Sequence, residues 1–266
     1  QGGGVLGLPC QSVDETAFHT TEVRLSDLEY YRFGLTLARP AAITGGCTAE
    51  AGFKFLDGST PGATLEILDG KDVLYENGTN QVVKPGTEEV FDPKQVRLTT
   101  VDGRVIEFDR EAGGVTRIQD RNGNALTITR AGITHTSGKN IVFTRDTLGR
   151  ITEIADPKGN TLKYAYDAQS DLTAFTDQAA NRTTFRYDGR HYLTDIFDPL
   201  GNRAIRSEYD ADGRLIATVD AQGNRMAMTH DQQNRREAIT DRLGRITVHE
   251  YDEQGNILTT IDALGQ

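Results

Sequence analysis

Tyr209-Asp210-Ala211-Asp212-Gly213-Arg214-Leu215, followed by Asp220-Ala221-Gln222-Gly223-Asn224, decides the fold of this chain. Each stretch carries Asp, two variable residues, Gly, and then Arg or Asn. Asp first and Gly fourth is the preference of a type I turn. The Asp carboxylate can accept a hydrogen bond from a backbone N–H two residues on, which pre-forms the turn. Gly at the fourth position takes φ > 0 and closes a three-residue hairpin loop with a G1 bulge. Between the two turns, Leu215-Ile216-Ala217-Thr218-Val219 is a short run of β-prone residues. A turn, a strand and another turn make the unit of an antiparallel meander.

The unit recurs along the chain. It starts at Asp120, Asp146, Asp156, Asp198, Asp241, Asp252 and Asp262, with glycines at Gly123, Gly149, Gly159, Gly201, Gly244, Gly255 and Gly265. Turns beginning at Asp167, Asp177, Asp188 and Asp231 put Ser170, Ala180, His191 and Asn234 at the glycine position. From Asp146 the anchors are 10, 11, 10, 11, 10, 12, 10, 11, 10, 11 and 10 residues apart, so the period is about 21 residues in two unlike halves. One half follows an aromatic residue: Tyr166, Tyr187, Tyr209 and Tyr251 each precede an anchor. The other follows a short apolar strand, as at Ile154-Ala155, Phe197, Val219 and Ile261. Strands such as Thr161–Tyr166 alternate, and no helical periodicity competes. The expected fold is all-β, a long antiparallel meander. Ser170 and Ala180 form their turns without Gly, at about 1 kcal/mol each where φ is positive. His191, and His230 at a tyrosine position, read as repeat substitutions rather than catalytic groups or ligands. In the long interval after Asp120, Ser137-Gly138 is expected to turn one more hairpin.

Residues 1–95 lack the period but still read as β. Thr20–Leu25, Tyr31–Leu37, Gly52–Leu56 and Thr64–Leu68 alternate or nearly so. Asp57-Gly58, Asp69-Gly70 and Asn77-Gly78 are expected turns. Asn77-Gly78-Thr79 is also a glycosylation sequon, read here as incidental to the turn. The division expected is an irregular β-rich lead-in or cap over 1–95 and a repeat sheet over 96–266. The alternative for the first part is a separate ligand-binding β-sandwich. Cys10 and Cys47 are the two cysteines. They read as one disulfide of an exported protein, the alternative being two buried thiols.

Lys and Arg number 29 against 39 Asp and Glu, a net charge of -10, which argues against a nucleic-acid partner. The excess is turn chemistry: 24 residues are Asp against 15 Glu, and thirteen of those Asp are the anchors from Asp120 to Asp262. No apolar run reaches the ~18 residues of a membrane span, and no signal-peptide pattern stands at the start. No nucleophile elbow, zinc-protease motif or phosphate-binding glycine loop is present. The anchor carboxylates lack the alternating ligands and closing Glu of a calcium loop. His19, His135 and His249 stand alone in strand-like contexts. Catalytic, cofactor-binding and metal residues are therefore expected to be none.

The half-repeat from Tyr209 to Leu215 and the turn from Asp220 to Asn224 resemble the RHS/YD-repeat family over about residues 96–266. Val96–Asp109 is similar to the lead-in of bacterial members. The resemblance implies a repeat sheet that curves or spirals into the shell of a large secreted or cell-surface protein. In polymorphic toxins that shell encloses a C-terminal toxin, and toxin-complex subunits and teneurins are relatives. Toxin-delivering members close the shell with a DPxG-L core motif bearing self-cleavage aspartates. Here Asp156-Pro157-Lys158-Gly159 and Asp198-Pro199-Leu200-Gly201 are each followed by Asn in mid-repeat, so no cleavage site carries over. Both ends read as cuts within a longer protein. The expected function is a non-catalytic wall segment, not an enzyme. Its expected partners are the remaining repeats and a cargo domain. The alternative is an adhesion module that binds cell-surface glycans through Tyr and Phe faces such as Tyr164 and Tyr187.

Overall fold

The computed structural model of the chain describes residues 10, 20–43, 46–75, 81–87 and 89–266. These residues form strands and turns and no helix, as an all-β meander requires. His19 and the Asn77-Gly78-Thr79 turn and sequon lie outside the described residues. The chain divides into two compact units, residues 1–141 and 142–266.

The first unit opens with β1 (Thr20–Ser26), β2 (Glu29–Ile43) and β3 (Gly46–Gly58). The short strands β4 (Thr64–Ile67), β5 (Asp72–Tyr75) and β6 (Val82–Val83) follow. Then come β7 (Gln95–Thr99), β8 (Val105–Asp109), β9 (Gly114–Gln119), β10 (Ala125–Thr129) and β11 (Gly132–His135). One sheet runs in the order β1-β2-β3-β5-β6. β4 leaves it and pairs antiparallel with β7, which pairs with β8 and so begins the meander through β9, β10 and β11.

The core of this unit lies between its two sheets. Val23, Tyr31 and Phe33 pack against Leu65, Leu98 and Ile106. Beside them, Leu35, Cys47, Ala49 and Ala51 pack with Ile67, Val73, Tyr75 and Val82. Cys10 is disulfide-bonded to Cys47 with Cα atoms 6.0 Å apart, and its side chain packs on that second cluster. A cross-link of this span contributes on the order of 3–4 kcal/mol by restricting the unfolded chain.

Two expected turns are not turns. Asp57 and Gly58 pair with Arg32 and Tyr31, so they are the end of β3. A Cβ on Gly58 would lie 2.6 Å from the Tyr30 carbonyl oxygen, so glycine serves close approach of the neighbouring strand there. The chain turns instead over Ser59–Gly62. Asp69-Gly70 joins no hairpin either: it is a crossing from β4 in one sheet to β5 in the other. Asp69 is held in that crossing by the Lys94 backbone N–H, which donates to its carboxylate at 2.7 Å.

The second unit is the regular meander. It runs through β12 (Asn140–Arg145), β13 (Ile151–Ala155), β14 (Thr161–Tyr166), β15 (Leu172–Thr176), β16 (Arg182–Tyr187) and β17 (Leu193–Phe197). It continues through β18 (Arg203–Tyr209), β19 (Leu215–Asp220), β20 (Arg225–Asp231), β21 (Arg236–Thr240), β22 (Ile246–Tyr251) and β23 (Ile257–Ile261). Each strand pairs antiparallel with the next. Among the described residues, its fully buried apolar side chains are Ala174 and Ala217. A single layer of short strands buries little, so its order must come from turns and braces rather than from a core.

Candidate functional site

The repeated turn is the element this chain is built around, and Asp198 shows its wiring. The Asp198 N–H donates to the Asn202 carbonyl at 2.9 Å, and the Gly201 N–H donates to the Asp198 carbonyl at 3.0 Å. Asp198 Oδ1 accepts from the N–H groups of Leu200 at 2.9 Å and Asn202 at 2.8 Å. Its Oδ2 accepts from the Asn202 amide at 3.0 Å. One carboxylate therefore holds both ends of the loop. This gives the fifth position its chemistry. Asn amides bond Oδ2 at Asp120, Asp156, Asp177, Asp220 and Asp252. Arg150 and Arg245 do the same through Nε at Asp146 and Asp241, each at 2.7 Å.

The fourth position has positive φ in every anchored turn but that of Asp231. Gly123, Gly149, Gly159, Gly201, Gly213, Gly223, Gly244 and Gly255 lie between 80° and 89°. Ser170, Ala180 and His191 adopt the same region at 74°, 65° and 67°. The Asp231 turn departs from the pattern: positive φ falls on Arg235 rather than Asn234. There Asn234 bonds the Asp231 carboxylate itself, through its amide at 2.7 Å, and the loop is one residue longer.

Ten of the anchor carboxylates are stabilised in their charged form. The Asn amide, followed by backbone N–H groups, holds Asp120, Asp156, Asp177, Asp198, Asp220 and Asp252 below the ordinary Asp range. Backbone N–H groups lead the same lowering at Asp188, Asp210, Asp241 and Asp262.

Three of the repeat aromatics are struts. Tyr166, Tyr187 and Tyr209 donate their hydroxyls to the carbonyls of Ile151, Leu172 and Leu193 at 3.0, 3.0 and 2.9 Å. Each bond spans one hairpin and ties the end of one strand to the start of the previous one. His230 occupies the next position and does the same job, with Nε2 2.8 Å from the Leu215 carbonyl oxygen. Since a carbonyl only accepts, that nitrogen carries the proton. Tyr251 differs: its backbone N–H donates to the Arg235 carbonyl at 3.1 Å, beside the Arg236–Glu250 strand pair. Burial raises the Tyr187 phenol above its ordinary value, reinforced by Asp171 and Asp167. Tyr164 lies against Phe175, with ring centroids 5.4 Å apart.

Among the described residues, the remaining histidines also serve the sheet. His191 Nδ1 lies 3.0 Å from both carboxylate oxygens of Asp171, one repeat earlier. His249 Nδ1 lies 3.0 Å from Thr260 Oγ1 on the paired strand. His135 begins a turn of the same geometry: Gly138 N–H donates to its carbonyl at 2.9 Å, and Ser137 N–H donates to its Nδ1 at 3.1 Å. The imidazole nitrogen thus stands in for an Asp oxygen, and Ser137-Gly138 is indeed a turn. Thr100 anchors another, with Gly103 at φ 84° and the Arg104 N–H donating to Thr100 Oγ1 at 3.1 Å. A pattern anchored on Asp passes over both. The readable signal was Gly103-Arg104 and Gly138-Lys139 at the fourth and fifth positions.

The RHS Repeat family matches residues 145–177, 209–246 and 230–266. No curated protein matches the chain. One similar solved structure is the Tc holotoxin pore of Photorhabdus luminescens with a substituted TccC3. It is 13% identical with a TM-score of 0.35, over 87% of this chain and 13% of that one. Another is TcdB2–TccC3 without its hypervariable C-terminal region. It is 10% identical with a TM-score of 0.21, over 90% of this chain and 19% of that one. The chain thus spans less than a fifth of the length of either structure. The matched segments contain the turns that begin at Asp146, Asp156 and Asp167 and those from Asp210 to Asp262, and over these segments the chain matches the RHS Repeat family.

Proposed function

We propose that the chain is a non-catalytic wall segment of an RHS shell that encloses or presents another domain of a larger exported protein. The observation that carries this reading is a sheet ordered by turns and tyrosine struts, with almost no core of its own. Such a layer suits a wall. Residues 96–266 supply the wall, and residues 1–95 supply its lead-in or cap. Eleven strands from β13 to β23, at ~4.8 Å each, make a sheet about 53 Å wide. A guest of about 100 residues has a radius of gyration near 13 Å and a girth on the order of 100 Å, so further repeats must complete the enclosure. The Cys10–Cys47 bond is in keeping with an exported protein. The hydroxyls of Tyr166, Tyr187 and Tyr209 are used on main-chain carbonyls, which favours the wall over a glycan-binding face.

Limited proteolysis of the full-length parent tests the proposal. The enclosed domain is expected to resist cleavage in the parent and to be cut quickly when expressed alone. Equal cleavage rates in the two settings would overturn it.

A further inference from the structure

One face of the second unit's sheet concentrates arginine in a chain whose net charge is -10. Arg186 stands opposite Asp195, and Asp195 stands opposite Arg206 in the strand pairing. Residues directly opposite in an antiparallel pair share a face. Arg182 lies on that face two positions along β16 from Thr184, which pairs with Phe197. Arg203 and Arg225 join it through Asp195 at 3.6 Å and Glu208 at 3.0 Å. Five guanidiniums and two carboxylates therefore lie on this face across β16 to β20, a width of about 20 Å.

The groups are accessible. The side chains of Arg203, Arg206 and Arg225 are 49%, 42% and 47% exposed, and Arg182 and Arg186 are exposed as well. Arg206 is already engaged: its Nη2 donates to Glu208 at 2.7 Å, and its Nε, which has no hydrogen-bond partner, is buried. Arg186 lies over the Phe197 ring, 4.6 Å from its centroid, and keeps its donors for other groups. Arginine around an aromatic ring is the composition of a protein-binding patch.

We infer that this arginine face of β16 to β20 is a docking surface for an acidic polypeptide segment. Guanidiniums bind carboxylates in bidentate pairs. Asp195 and Glu208, set among them, can accept a polypeptide's N–H groups, donors that a phosphate backbone lacks. That charge pattern, within an acidic chain, selects a polypeptide over a nucleic acid. The inference goes beyond the wall reading and does not depend on what the wall encloses.

The test is fluorescence anisotropy of a labelled oligo-glutamate peptide with the full chain. Binding is expected at low salt and to weaken as salt rises. Arg186→Glu with Arg206→Glu should weaken it by at least about tenfold. Lys158→Glu, the same kind of charge change at an exposed turn tip, should leave it unchanged. The neutral pair Arg186→Gln with Arg206→Gln serves if the reversed pair does not fold, and should also weaken binding. No binding, equal loss in the Lys158 variant, or tighter binding of a single-stranded oligonucleotide of equal charge would each overturn the inference.

Discussion

The phenol of Tyr192 occupies the space that a β-carbon on Gly213 would fill. Tyr192 takes the fifth position of the Asp188 turn, where most other turns carry Asn or Arg. Its ring stacks on Tyr209 with centroids 5.0 Å apart, and Arg190 lies over it at 4.8 Å. At Gly244 the same backbone conformation is open, with nothing within 4 Å of a built Cβ. The two glycines therefore separate backbone strain from steric conflict. Gly244→Val should cost about 1–3 kcal/mol through positive φ alone. Gly213→Val should cost more, because Tyr192 must move. Melting of both variants, with Tyr192→Ala added to each, checks this. The added change should relieve Gly213→Val and not Gly244→Val.

Ala180 holds φ at 65°, where its Cβ is strained. Ala180→Gly should raise stability by about 1 kcal/mol, read as a higher denaturant midpoint. His191→Gly should gain less, because it also loses the contact with Asp171. A gain for His191→Gly equal to that for Ala180→Gly would remove any role for the His191–Asp171 pair.

Low pH should loosen the repeat turns. The folded pKa of Asp198, like those of Asp120, Asp156, Asp177, Asp220 and Asp252, is depressed by the neighbouring Asn amide and backbone donors below the ordinary 3.8. A depressed folded pKa gives stability that is complete above the unfolded value. That stability is lost as pH falls through the folded value. Thermal melting should therefore be flat at higher pH and fall below about pH 3.8. Asp198→Asn with Asp220→Asn should lower stability at neutral pH and flatten the acid slope.

His230 should be replaceable by the residue its position expects. His230→Tyr keeps a donor for the Leu215 carbonyl and should stay within about 0.5 kcal/mol of the parent chain. His230→Phe leaves that carbonyl without its partner and should cost about 1 kcal/mol. Urea unfolding of the two variants side by side decides it.

The repeat sheet was legible because its information is local. Asp198, Gly201 and Asn202 build a complete turn from five adjacent residues, and alternation does the rest. The turns at Thr100 and His135 were less legible because Thr and His can imitate the Asp acceptor, which an identity pattern does not register. Asp57-Gly58 and Asp69-Gly70 misled for the opposite reason: their sequence suits a turn, but the strands beside them find partners elsewhere.

The sequence by itself determined the all-β class, the 21-residue period and the turn chemistry, since each rests on contacts within a few residues. Tertiary structure decided how the first unit's strands sort into two sheets and that Cys10 meets Cys47. It also decided that Tyr166, Tyr187 and Tyr209 reach carbonyls 15 or 16 residues back, and that five arginines share one face. Those relationships join residues whose spacing carries no local preference, so only the pairing of strands brings them together.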